Sequence, residues 1–169
     1  EDNELLDLGE RRLKDMLRPE HLYQLTALGL PATFPPLKTL DSFPNNLPAQ
    51  LTSFIGREKE IAEVKRELSG HRLVTLTGSG GTGKTRLSLQ VAAELLDQFP
   101  HGIWFVELAA LAEPGLVLQA VGSVLNVREQ AGMPLIDIVL NFLRSKALLI
   151  ILDNCEHLLD AVADLVARM

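Results

Sequence analysis

The residue run that most constrains this chain is Gly78-Ser79-Gly80-Gly81-Thr82-Gly83-Lys84-Thr85, which matches the pattern G-x-x-x-x-G-K-S/T at every fixed position. Glycine permits a tight turn in which successive backbone N–H groups point at phosphate oxygens, and the following helix adds partial positive charge. Lys84 supplies a mobile charge for the β- and γ-phosphates, and the Thr85 hydroxyl can bind Mg²⁺. The run therefore predicts a phosphate-binding loop for a nucleoside triphosphate.

The sequence on either side of this loop has the character that such a loop needs. A β-branched, apolar run at Leu73–Thr77 precedes it, and a helix-forming stretch begins at Arg86. This context predicts a strand, then the loop, then a helix. We assign nucleotide contacts to the eight loop residues and to Arg86, with Lys84 also acting in catalysis. The alternative is a glycine-rich turn whose Lys-Thr pair is simply exposed to solvent.

A second candidate position follows an apolar run near the end of the chain. Residues Ala147–Leu152 are continuously apolar, which is typical of a parallel strand buried on both faces. Asp153 ends the run, at the sheet edge where open α/β folds bind their ligands, so we predict a catalytic Mg²⁺ ligand opposite Thr85. The alternative is that Asp153 caps a helix beginning near Glu156.

Composition excludes several classes of protein. The chain has 169 residues, of which 47% are apolar and 22% charged, as in a soluble globular domain. Its net charge of −6 argues against a basic nucleic-acid surface. The single Cys155 excludes an internal disulfide, and no signal peptide or membrane span is evident. We therefore expect a cytoplasmic location without direct contact to nucleic acid or membrane.

Three regions differ in composition. Residues 1–28 are dense in charge of both signs, and residues 29–50 form a linker that holds five of the nine prolines. Proline excludes a regular helix or central strand there, and the linker's apolar residues predict that it packs on a surface. Residues 51–169 alternate strand and helix patterns in the order β-α-β-α-α-β-α, which predicts an α/β fold with a parallel, doubly wound sheet.

Four segments together resemble the nucleotide-binding domain of STAND ATPases, the signal-transduction relatives of AAA+ proteins. They are Phe54–Glu58, the loop, Trp104–Leu108 and Leu149–His157. The chain is most similar to the bacterial regulators related to NB-ARC proteins. The resemblance implies a P-loop NTPase fold over residues 51–169, with ATP or ADP and Mg²⁺ as cofactors, and Ile55 and Arg57 against the adenine and ribose. It also implies a further strand beyond Met169 that would separate the Leu73–Thr77 and Ala147–Leu152 strands.

The first region carries a shorter resemblance. Residues Leu6–Asp15 with His21–Leu25 are similar to the last two strands of a class III nucleotidyl cyclase domain. The catalytic residues of that family would precede Glu1, so we expect no cyclase activity. The family's Lys-Gly pair is replaced here by Lys14-Asp15, and no substrate role is carried over to Lys14.

The resemblance implies an ATP-dependent switch, with other domains of the same protein as partners and nucleotide-dependent oligomers as a further property. Hydrolysis should be slow, because Asn154 stands where fast AAA+ motors carry a glutamate, and an amide cannot take a proton. Glu156 can replace that base only if the chain turns back at Cys155; otherwise it is a first-turn acid of the next helix. Two alternatives remain, a connector that binds nucleotide without hydrolysis and a small-molecule kinase, although no Arg-rich lid follows the second strand.

Overall fold

The computed structural model describes residues 4–13, 16, 18–31, 33–35, 37, 39–48 and 54–169. Lys14 and Asp15, and the start of the predicted 51–169 domain, lie outside the described residues. The described part folds into two compact units, residues 1–44 with 48–97, and residues 45–47 with 98–169. Its strands are Glu4–Arg11 (β1), Glu20–Thr26 (β2), Ile103–Glu107 (β3) and Leu149–Asp153 (β4). Its α-helices are Glu58–Gly70 (α1), Lys84–Leu95 (α2), Val117–Val124 (α3), Leu135–Leu143 (α4) and Leu159–Arg168 (α5).

The first unit begins with an antiparallel pair of strands, β1 and β2. Their register runs from Glu4 opposite Thr26 to Arg11 opposite Glu20, with a bulge between Asp7 and Gly9. At the bulge the Gly9 N–H donates to the Asp7 carboxylate at 2.7 Å, and His21 Nε2 lies 2.6 Å from the same oxygen. The Gly9 N–H, followed by His21, holds the pKa of Asp7 below its ordinary value.

The proline-rich linker docks on this hairpin through polar contacts. A short 3₁₀ turn, Leu40–Ser42, presents Asp41 to Arg12. The Arg12 backbone N–H and Nε each donate to the Asp41 carboxylate at 2.7 Å, and the Leu40 N–H donates to the Arg12 carbonyl at 2.9 Å. The expected docking is therefore seen, but two of the linker's apolar side chains, Phe34 and Leu37, are exposed.

The remainder of the first unit packs α1 against α2. Ile61 of α1 is buried, and Lys65 of α1 forms a 2.9 Å ion pair with Glu94 of α2. The buried side of α2 is apolar apart from Gln90, and it consists of Leu87, Leu89, Val91, Ala92 and Leu95. Because the last two residues of the glycine-rich loop, Lys84 and Thr85, are also the first two of α2, this packing fixes the position of that end of the loop.

The second unit is built on a two-stranded parallel sheet. Strands β3 and β4 pair in register from Ile103 opposite Leu149 to Glu107 opposite Asp153. Helices α3, α4 and α5 contribute to one apolar core with this sheet, centred on Val106, Leu108, Val121, Val139 and Leu165. Gly122 of α3 faces α4, and a Cβ at that position would lie 3.6 Å from Leu135, which is an ordinary van der Waals distance.

A three-residue stretch of the linker, Asn45–Leu47, belongs to this second unit and lies along β3. Asn45 forms a parallel bridge with Ile103. The Asn46 side chain donates from Nδ2 to the Phe105 carbonyl at 2.8 Å and accepts the Phe105 N–H at 2.6 Å. Leu47 is buried. One amide side chain therefore makes both hydrogen bonds that a residue of a neighbouring strand would make, which protects the edge of β3.

Several predicted elements differ from those observed. The predicted strand Leu73–Thr77 joins neither sheet of the described part, although exposure alternates along it with the period of a strand. The parallel sheet there consequently has only two strands, fewer than a doubly wound sheet requires. The helix expected from Thr82 begins at Lys84, because Gly83 is left-handed with φ of 79°. None of the helices in the described ranges has the length and apolar character needed to cross a membrane.

The linker contact at β3 gives a first testable prediction. Replacing Asn46 with Ala removes two hydrogen bonds, each of which contributes about 0.5–1.5 kcal/mol, so the free energy of unfolding should fall by about 1–3 kcal/mol. The backbone amide of Phe105 should exchange its hydrogen faster, as measured by NMR. Asn46→Asp is the matched control, since it keeps the acceptor for the Phe105 N–H and should preserve much of that protection. Unchanged Phe105 exchange in Asn46→Ala would refute the contact.

The Arg12–Asp41 contact predicts a pH dependence of stability. The Arg12 backbone N–H, followed by its guanidinium, lowers the pKa of Asp41 from the ordinary 3.8. A lowered pKa stabilises the folded state above the unfolded pKa, and this stabilisation is lost as pH falls through the folded value. The stability difference between wild type and Asp41→Asn should therefore be constant near neutral pH and narrow below 3.8. Urea denaturation at several pH values would measure this; a gap that widens in acid would contradict it.

Candidate functional site

The glycine-rich loop has a backbone that only certain residues adopt. Gly81 and Gly83 both have φ of 79°, in the left-handed region. A side chain there costs about 1–2 kcal/mol for most residues, because Cβ approaches the following carbonyl oxygen. At Gly83 an added Cβ would also lie 3.4 Å from Nη1 of Arg57. The two positions therefore favour glycine because of their backbone conformation, and the contact with Arg57 is at an ordinary van der Waals distance.

Two carbonyl groups of the loop accept hydrogen bonds from side chains of the loop itself. The Thr82 hydroxyl donates to the Ser79 carbonyl at 2.9 Å. Lys84 Nζ donates to the Gly78 and Ser79 carbonyls at 2.8 and 3.1 Å. The lysine ammonium is thus folded back over the first two residues of the loop, where it adds positive charge beside the turn.

Several backbone N–H groups of the loop, by contrast, have no hydrogen-bond partner among the described residues. Within the described residues, no acceptor is assigned to the backbone N–H groups of Gly80, Gly81, Gly83 and Lys84. Donors left without acceptors beside a helix N-terminus are suited to an anion, since the aligned peptide dipoles add about half a positive charge there. The donor set therefore fits a phosphate group, with Thr85 one residue into α2.

The segment before α1 reaches the loop through Arg57. Arg57 Nη1 donates to the Thr82 carbonyl at 2.9 Å, and Nε donates to Glu60 at 3.1 Å. Ile55, predicted to lie against the base, is 89% exposed. The guanidinium of Arg86 lies 5.6 Å from the centre of the Phe54 ring. The first unit therefore brings together the loop and the predicted Arg57, and it places Arg86 beside the same segment.

The acidic candidates belong to the second unit. Asp153 ends β4, is half-buried, and its carbonyl accepts the Leu108 N–H at 3.0 Å. Asn154 follows with φ of 54°, a left-handed conformation in which asparagine is enriched. The predicted Mg²⁺ ligands Thr85 and Asp153 thus lie in different compact units.

The structure corrects the preferred interpretation of Glu156. It is not a first-turn helix acid, because α5 begins at Leu159. Glu156 instead lies exposed in a turn closed by the Leu158 N–H, which donates to the Cys155 carbonyl at 2.9 Å. Nε2 of His157 anchors the turn, 2.7 Å from the Leu111 carbonyl. Glu156 therefore lies in the turn that precedes α5, and its role as a base remains a prediction.

Magnesium suits the donor types that are present. In the part of the chain that the structure describes, no group of three or more His, Cys, Asp or Glu side chains could hold a metal by itself. Mg²⁺ is usually bound by one or two protein oxygens together with substrate phosphates. The Thr85 hydroxyl and the Asp153 carboxylate are oxygen donors of that kind, each within its own compact unit.

Sequence reasoning missed the roles of Glu60 and Asn46. Glu60 could have been recognised, since an arginine and a glutamate three residues apart meet on one helix face. No local signal identifies Asn46, whose partner Phe105 is 59 residues away.

Comparison with known proteins identifies relatives of the P-loop region. A family model described as "AAA domain" matches residues 65–169. No solved structure gives a significant match to the chain.

Among curated proteins, an "Uncharacterized protein" of Mycobacterium tuberculosis is 41% identical over 116 residues, which is 69% of this chain and 30% of that protein. A "Putative HTH-type transcriptional regulator" of the same organism is 43% identical over 102 residues, covering 60% of this chain and 11% of that protein. An "Uncharacterized WD repeat-containing protein" of Nostoc is 34% identical over 122 residues, covering 64% and 10%. The chain therefore spans less than a third of the length of these relatives.

Removal of the Lys84 ammonium tests the site directly. Lys84→Ala should weaken ATP binding by about 100-fold or more, because a charge-assisted contact to phosphate is lost. Isothermal titration calorimetry measures the affinity, and thermal unfolding should show little change since Lys84 lies at the start of α2 outside the apolar core. Lys59→Ala removes the same charge from an exposed position of α1 and should bind ATP normally. Equal ATP affinity in wild type and Lys84→Ala would refute the assignment.

Proposed function

Because the chain belongs to the AAA domain family of P-loop ATPases, we propose that it is an ATP- and Mg²⁺-binding switch module with slow hydrolysis. The observation that carries this proposal is the loop at residues 78–85. The carbonyl groups of Gly78, Ser79 and Thr82 are engaged by Lys84, Thr82 and Arg57, while the N–H groups of Gly80, Gly81, Gly83 and Lys84 have no assigned acceptor among the described residues. These N–H donors are suited to the phosphate oxygens of a nucleotide.

We assign each residue a task in binding. The N–H groups of the loop and of the first turn of α2 receive the phosphate oxygens, and Lys84 exchanges its loop carbonyls for the β- and γ-phosphates. Thr85 and Asp153 hold the metal, and Ile55 offers an exposed apolar contact for the base. Mg²⁺, when bound, neutralises charge that develops on the phosphates.

Slow hydrolysis follows from the residue after Asp153. A positioned carboxylate would take a proton from the attacking water, whereas the carboxamide of Asn154 cannot. Glu156 supplies a carboxylate in the exposed turn that follows. With no strong base at position 154, the ATP-bound form persists, which suits a switch better than a motor.

The larger context of the module is also part of the proposal. We propose a STAND-type, NB-ARC-related domain over residues 51–169, preceded by the linker at 29–50 and a cyclase-like end at 1–28, inside a cytoplasmic multidomain signalling protein. The antiparallel β1–β2 pair and a relative named as an HTH-type transcriptional regulator support this. Its partners are nucleotide and the other domains of the same protein, with nucleotide-dependent oligomers as one output.

A connector that binds nucleotide without hydrolysing it is the second candidate, favoured by Asn154 itself. The two differ in whether ATP is ever cleaved. Single-turnover cleavage of radiolabelled ATP by wild type, with Lys84→Ala as the inactive control, separates them. Cleavage that exceeds the control supports the slow switch, and its absence in the presence of tight binding supports the connector.

Introducing a carboxylate at position 154 tests the cause of slow turnover. Because Asn154 has φ of 54°, Asn154→Asp suits the backbone, while Asn154→Glu adds reach at a cost of about 1–2 kcal/mol in stability. If the missing base limits hydrolysis, one of these variants should raise the single-turnover rate toward the 10²–10⁴-fold that a positioned base typically contributes. Asn126→Asp, at another left-handed asparagine, controls for the charge change. Unchanged rates in both variants, with ATP affinity intact, would exclude Asn154 as the limit.

A further inference from the structure

The peptide group between Thr82 and Gly83 has two sides with different environments. Its carbonyl accepts a 2.9 Å hydrogen bond from Arg57 Nη1, while the Gly83 N–H has no assigned acceptor among the described residues. In a planar trans peptide the C=O and N–H bonds point in opposite directions. Holding the Thr82 carbonyl therefore also fixes the direction of the Gly83 N–H, which points away from Arg57.

Arg57 is itself held in place from a second side. Its Nε donates to Glu60 at 3.1 Å across one turn of α1, so two different nitrogens of the guanidinium have separate partners. The Glu60 backbone N–H, followed by Arg57, lowers the pKa of the Glu60 carboxyl, so the partner remains charged near neutral pH. Arg57 is left-handed with φ of 66°. This unusual backbone turns the side chain from the start of α1 to the loop.

We propose that Arg57 is a positioning residue of the phosphate-binding loop, which presents the Gly83 N–H to a bound phosphate by holding the Thr82 carbonyl. This inference rests on the proposed nucleotide-binding function and gives Arg57 a task different from the contact with adenine and ribose implied by the resemblance. The two tasks predict different ligand dependence. A residue that positions the loop affects every ligand with a polyphosphate, while a residue that touches the base affects the choice between bases.

The test compares ligands that all carry a polyphosphate but that differ in the base or lack the nucleoside. The affinities of ATP, GTP and inorganic tripolyphosphate are measured by calorimetry for wild type, Arg57→Gly and Lys59→Ala. Glycine at position 57 keeps the left-handed backbone without strain. We expect Arg57→Gly to weaken all three ligands by about tenfold, with an unchanged ATP-to-GTP ratio, since one charge-assisted contact that orients a donor is lost. Lys59→Ala should leave all three unchanged.

A second variant leaves residue 57 intact. Glu60→Gln keeps the shape of the side chain but removes the charge that holds the guanidinium, so it should weaken the same three ligands in the same proportion, by a smaller factor. A changed ATP-to-GTP ratio in Arg57→Gly, with tripolyphosphate affinity unaffected, would overturn the proposal in favour of a base contact. If wild type binds none of the three ligands, the proposed function itself fails, and the role of Arg57 fails with it.

Discussion

The arrangement of the candidate site depends on an imbalance in backbone hydrogen bonding within the loop at residues 78–85. Constrained backbone groups normally find partners, and here the carbonyl oxygens of Gly78, Ser79 and Thr82 find them in the side chains of Lys84, Thr82 and Arg57. Four N–H groups of the same stretch have no assigned acceptor in the described part of the chain. Backbone donors of this kind, with the Lys84 ammonium beside them, are suited to an anion.

Hydrogen bonds between side chains and backbone groups also hold the linker in place. Prolines prevent it from forming regular ladders, so its two docking points combine isolated backbone contacts with side-chain hydrogen bonds: Asp41 bonds to Arg12, and Asn46 bonds to Phe105. The first contact lies within the first compact unit and the second within the second unit, although only a few residues of linker separate Asp41 from Asn46 along the sequence. A segment without regular secondary structure is thereby fixed by a small number of specific polar groups.

The sequence predicted the features that depend on the spacing of nearby residues. It did not predict those that depend on contacts between residues far apart in the sequence. The loop motif located the start of α2 to within two residues, and the apolar runs located β3 and β4. Leu73–Thr77 has the composition of a strand, yet a strand also needs a neighbour, and neither described sheet provides one. The preference of acidic residues for first helical turns predicts Glu156 in a helix, whereas the Cys155–Leu158 turn places the start of α5 at Leu159. The contacts of Arg57 and Asn46 join residues 25 and 59 positions apart, which no local pattern reveals.

The contact between Asn46 and β3 places few constraints on the sequence and length of the linker. A conventional edge strand must match its neighbour over several residues, so its sequence and length cannot change freely. Here one carboxamide bonds both the N–H and the C=O of a single residue of the sheet, and the match extends upstream only to the bridge between Asn45 and Ile103. The part of such a chain that precedes this asparagine pair can therefore be lengthened, shortened or exchanged for an unrelated module during evolution, provided that the pair still lies beside β3.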